Sequence, residues 1–249
     1  MTEASQLLPA PHANASPGGG PTRTPARTPR REWLAPTGLI LLSLVPVAAG
    51  ASRLTQLATG AVAADNTRFF DSPVPVVVHI VSVTVFSLLG ALQFAPSLRR
   101  HRWHRRAGRI VAPAGLLTAL TGIWMALFYT LPAHDGEALL VLRLVFGSAM
   151  AASIVVAFVA IRKGDVRTHS AWMTRAYAIG MGAGTQVFTL LPWSIILGPP
   201  DVGTHAVLMG AGWVINLAVA EFVIRRRATG SGRASRTSGR STVASARLS

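Results

Sequence analysis

Six apolar stretches, each close to the length that crosses a bilayer, constrain this chain more than any other feature. About 20 apolar residues at a rise of roughly 1.5 Å cross about 30 Å of hydrocarbon, and such runs lie near residues 34–51, 74–95, 108–131, 138–161, 172–197 and 204–224. In lipid every backbone N–H and C=O must find its partner within the segment, so these runs are helices. The expected fold class is all-α: a polytopic membrane helix bundle of six transmembrane helices with disordered cytoplasmic tails. Composition agrees, because only 13% of residues are charged against roughly 25% in soluble domains.

The ends of the chain read differently. Residues 1–32 are rich in Pro, Gly, Ala, Thr and Arg without apolar periodicity, and cannot bury enough surface to offset ordering entropy. Residues 227–249 form a Ser/Arg/Gly/Ala tail with no hydrophobic face. The division is therefore a disordered tail over 1–32, a transmembrane domain over 33–226 and a disordered basic tail over 227–249. Arg30-Arg31 ahead of an apolar run superficially resembles a twin-arginine export signal, but Ala35-Pro36 does not suit one. The run reads as a first transmembrane helix, with ends left loosely defined by Pro36 and Pro46. The linker over 52–73 has room for an interfacial helix.

The formal charge of +15 comes from 23 arginines and Lys163 against nine acidic residues. If the N-terminus is inside, 21 of the 24 basic residues fall on one side, leaving Arg53 and Arg68 on the other and Arg143 within the fourth span. The positive-inside rule then places both termini in the cytoplasm of a multi-pass cell-membrane protein, and an even number of spans agrees. Anionic lipid headgroups account for the basic loops and tail, and no nucleic-acid partner is expected. With no cysteine there is no disulfide, thiolate ligand, iron–sulfur cluster or covalent c-type haem.

Histidine placement carries the chemical reading. His79, His134 and His205 lie toward the outer face; His101, His104 and His169 lie toward the inner one. Helical steps from His79 pass Val83, Phe86, Gly90 and Gln93, and those from His104 pass Gly108, Val111, Gly115, Thr118 and Gly122. Steps from His169 pass Met173, Ala176, Gly180 and Gly184, and those from His205 pass Met209, Gly212 and Asn216. Small faces beneath terminal histidines suit b-type haem, whose iron would be held by His104 with His169 and by His79 with His205, at levels roughly 20 Å apart. His104 is preferred to His101 because Gly108 and its stripe follow it. Arg109 and Arg175, with Arg105, could pair with haem propionates. Such a protein would carry electrons between a donor and an acceptor across the membrane; as an enzyme it would be a membrane haem oxidoreductase. The opposing reading is a cofactor-free membrane transporter or structural membrane partner. In that reading glycine faces pack helices, and Arg143, Gln186, Asn216 and Glu221 are inward-facing polar groups. No HExxH, Walker, GxSxG or strand-linked GxGxxG motif occurs.

Three motifs carry a resemblance: an outer-end histidine followed by Leu89 to Phe94, H-R-x-x-G-R over His104 to Arg109, and H-x-x-W-M-x-R-x-Y-A over His169 to Ala178. Across residues 75–195 the chain resembles the predicted membrane proteins of domain-of-unknown-function family 2306. That resemblance implies a membrane protein and no particular activity. The chain departs from the family pattern later in the fifth span, around Gln186 or Val187, where many members carry an arginine. Histidine placement is also similar, more loosely, to that of di-haem cytochrome b membrane proteins.

Overall fold

The computed structural model describes residues 29–63, 66–99 and 102–246. Most of the N-terminal tail, with His12, and His101, the alternative to His104, lie outside them.

Nine helices form among the described residues: α1 (Pro29–Thr59), α2 (Thr67–Asp71), α3 (Pro73–Leu92), α4 (Pro96–Arg99), α5 (Arg102–Phe128), α6 (Gly136–Arg162), α7 (Val166–Gly180), α8 (Gly182–Leu197) and α9 (Val202–Ala246). Six segments are long and apolar enough to cross a membrane: Glu32–Thr59, Pro73–Leu92, Arg102–Phe128, Gly136–Arg162, Val166–Leu197 and Val202–Thr229. No strand forms among the described residues. Leu41, Phe158, Ile195, Ile196 and Phe222 are exposed on the outside of the bundle, where lipid tails rather than water would meet them.

The first span runs further than the apolar pattern indicates. The helix continues to Thr59 instead of stopping near residue 51, because its polar last turns satisfy themselves. Thr55 and Thr59 donate back to the carbonyls of Ala51 and Thr55, and Arg53 donates to Gln56 at 2.8 Å. The connection that follows contains the short α2. Pro46 inside α1 cannot donate to the Leu42 carbonyl. That freed carbonyl lies against Gly184 of α8, where any Cβ would overlap it.

α3 packs on α1 and α5, α6 packs on α5, α7 and α9, and α8 packs on α9 and α1, so the bundle closes on itself. Its centre is aromatic. The Phe86 ring, fully buried, fills the hollows left by Gly115 and Gly180, while Tyr177 fills the hollow at Gly90. The Tyr177 hydroxyl donates to the Ser87 carbonyl at 2.7 Å. Close approach at glycine is how helices gain dispersion contact where lipid supplies no hydrophobic drive.

The fifth span carries a one-residue irregularity, across which the Met181 amide still donates to the Tyr177 carbonyl at 3.0 Å. Met181 separates α7 from α8 between Gly180 and Gly182. Asn216 on α9 answers the break, its Nδ2 donating to the Ala178 carbonyl at 3.1 Å and its Oδ1 accepting from Thr185 at 2.7 Å.

Candidate functional site

Polar groups inside a membrane bundle must be partnered, and here the partners define two ends. At the arginine-rich end, Arg175 of α7 makes a two-point ion pair with Glu221 of α9 and lies 4.6 Å from the Trp172 ring centre. At the arginine-poor end, Arg143 of α6 pairs with Asp135 at 2.6 Å. Asp135 is 3% exposed, so this pair is held in a low-dielectric setting where losing either partner is costly. Between the ends, the Gln186 amide donates to the Met209 carbonyl at 3.0 Å and Thr189 donates to Leu208 at 2.9 Å, stapling α8 to α9.

A cavity of about 350 Å³ occupies the arginine-poor half, within the usual size of small-molecule sites. Its polar wall includes His79, Thr118, Asp135, Arg143 and Gln186; its apolar wall includes Met125, Phe146, Met150, Met209 and Trp213. Ile179, Gly180 and Ala183, on either side of the Met181 break, also line it, and Leu131 and Pro132 bring it to the loop. Tyr129 stands on the wall with its hydroxyl donating to Ser72 at 2.6 Å. Burial raises the Tyr129 pKa above the ordinary tyrosine value, against smaller opposing effects of a backbone hydrogen bond and Arg68.

The His79 ring is held against α5: its Nδ1 lies 3.0 Å from Thr121 Oγ1, a hydroxyl that also reaches the Leu117 carbonyl at 2.6 Å.

The other sequence-identified residues fall in separate surroundings. His205 of α9 does not line the cavity; its Nε2 is 3.6 Å from Asp135. His79 and His205, the expected outer pair, thus look to different partners, α5 for one and the start of α6 for the other. His104 lies half-buried in the first turn of α5. His169 Nδ1 lies 3.0 Å from the Ala157 carbonyl, which can only accept. Arg109 is exposed. Arg175, expected beside a propionate, is engaged by Glu221.

On the glycine faces beneath His104 and His169, the Phe86 ring occupies the hollows at both Gly115 and Gly180. Gly184 is taken by α1 and Gly122 by His79. Only Gly108, one turn beyond His104 on that stripe, has no neighbour within 4 Å. Packing thus explains most of the stripes.

The family profile of predicted membrane proteins named DUF2306 matches residues 76–224, from early α3 to the membrane-spanning part of α9. The chain belongs to the DUF2306 family. The match takes in the cavity walls from α3, α5, α6, α7, α8 and α9, together with Asp135, Arg143, His79 and His205; Arg68 and Phe69 of α2, which also line the cavity, lie outside it. α1, which lies outside the DUF2306 match, contributes the Leu42 contact but no cavity wall. No curated protein and no solved structure matches the chain.

Sequence reasoning missed the grouping of His134, Asp135 and His205. The available signal was the run His134-Asp135-Gly136 with Arg143 two helical turns on; His205, far along the chain, completes it only in the folded bundle.

Proposed function

We propose that the protein is a membrane carrier rather than a haem protein. It takes a small molecule with a polar head and an apolar body into the cavity from the arginine-poor face, with both termini in the cytoplasm. The observation that carries this reading is the cavity set against the one-residue irregularity at Met181 in the fifth span. Broken helices at mid-membrane are where transporters commonly bind their substrates. His79 and Arg143 offer an imidazole and a cation to a polar head, and the methionines, Phe146 and Trp213 offer a deformable apolar wall. The arginine asymmetry supports the orientation.

The chain lacks cysteine, so single cysteines report access cleanly. Ala126→Cys on the cavity wall and His134→Cys in the loop should both react with a membrane-impermeant maleimide in intact cells, while the fully buried Ala157→Cys stays unlabelled. Labelling at residue 134 without labelling at 126 would show a cavity closed to water and contradict the proposal.

A second reading, haem b held by His104 and His169, has one observation in its favour. His169 is fixed through Nδ1 by Ala157, which leaves Nε2 as the ligand nitrogen. Haem would supply one-electron transfer between a donor and an acceptor. A reducible Soret band lost in His104→Ala and His169→Ala supports it; colourless folded protein ends it.

A further inference from the structure

We propose that His134, Asp135 and His205 form a binding site for a divalent transition metal, zinc foremost, at the rim of the cavity. The local fold assembles the three groups. His134 and Asp135 occupy the turn before α6, and His205 lies in the first turn of α9. Gly136 adopts φ +60°, a conformation L side chains rarely take, and a Cβ there would strike Val202 at the start of α9. Glycine at 136 therefore lets the two helix starts approach. Asp201 then fixes the start of α9, its carboxylate accepting from the Gly203 and Thr204 amides at 2.9 and 3.0 Å.

The distances favour a shared ion over direct hydrogen bonding. His134 Nε2 and His205 Nε2 lie 3.7 and 3.6 Å from the same oxygen, Asp135 Oδ1. Hydrogen bonds of that type run about 2.7–3.2 Å, so neither histidine bonds the carboxylate well. Bonds of about 2.0–2.1 Å at tetrahedral angles, however, put donor atoms roughly 3.4 Å apart. The three donor atoms all fall within 4.8 Å of one another, and the two imidazole planes meet at 87° with ring centres 5.1 Å apart. Small side-chain movements would bring all three onto one ion.

The surroundings suit an open site. Arg143 holds Asp135 by Oδ2 at 2.6 Å, which turns Oδ1 toward the histidines. That contact orients the ligand as partners beyond a metal's direct ligands commonly do, while its positive charge moderates affinity for a dication. His134 is 63% exposed and His205 14%, so an ion can enter from the loop side. Two imidazoles and one carboxylate, without thiolate, are a zinc-type donor set with a fourth position left for water or an incoming ligand.

Zinc chloride titration into the full-length, chelator-stripped protein in detergent tests the site, using an affinity tag free of histidine. One zinc ion should bind per chain, and His134→Ala and His205→Ala should each weaken binding at least about tenfold. His134→Ala keeps the test sound, since an exposed loop side chain can be removed without unfolding the bundle. Zinc-edge absorption of the wild-type complex should show imidazole nitrogen and carboxylate oxygen. Stoichiometric binding unchanged in both variants, or no saturable binding to the wild type, would overturn the proposal.

Discussion

At the scale of single residues, the molecule turns on what fills glycine hollows and what answers buried charge. Phe86 occupies the space at both Gly115 and Gly180. Lipid is as apolar as the core, so only the cavity cost of truncation remains. Phe86→Ala removes roughly 100 Å³, and at about 24 cal/mol per Å³ should cost about 2 kcal/mol of stability, read in thermal denaturation in detergent. Asp135→Asn breaks a pair whose aspartate is buried and whose Arg143 side chain is 28% exposed. Fully buried pairs lose roughly 3–5 kcal/mol when broken and surface pairs up to about 1, so a loss near 2 kcal/mol is expected. The stripes of glycine were readable in the sequence, but not their occupant. Gly115 and Gly180 present a small face that names no occupant, and the packing of α3 between α5 and α7 brings Phe86 to both.

At the scale of elements, the six spans were legible because apolar length is a strong signal, and their positions hold within a turn or two except at the end of α1 and at α9, whose helix continues through the basic stretch expected as a tail to Ala246. In α1 the polar turns of residues 52–59 extend the helix by local hydrogen bonds that hydropathy does not register. The α7–α8 break was hidden for a similar reason: Gly180-Met181-Gly182 is as apolar as the run around it. Asn216 was recognisable as an inward polar group, yet its partners Ala178 and Thr185 lie 38 and 31 residues away. Asn216→Ala should leave the Ala178 carbonyl without this donor, at a cost of about 1–3 kcal/mol, and should speed amide exchange on both sides of Met181. The start of α9 makes a pH prediction. The Thr204 hydroxyl, with backbone amides, holds the Asp201 carboxyl below its ordinary pKa. Its stabilising contribution is present above the unfolded aspartate value, about 3.9, and is lost as pH falls through the lower folded value. Protection of the Gly203 and Thr204 amides, taken relative to intrinsic exchange at each pH, should therefore hold at neutral pH and fall only in acid; a fall already between pH 6 and 5 would contradict the assignment.

At the scale of the whole molecule, charge is distributed to opposite purposes at the two ends. Arg175 and Glu221 clamp α7 to α9 at the arginine-rich end, whereas Arg143 and Asp135 stand at the wall of an open cavity. The central claim is that this cavity holds a small molecule. Native mass spectrometry of the full chain, released gently from detergent, tests it most directly. The account predicts a small-molecule adduct on the wild-type protein that is depleted in Ala126→Phe, which fills the cavity wall, and retained in His169→Ala. A haem adduct lost in His169→Ala, or wild-type and Ala126→Phe spectra that do not differ, would contradict it.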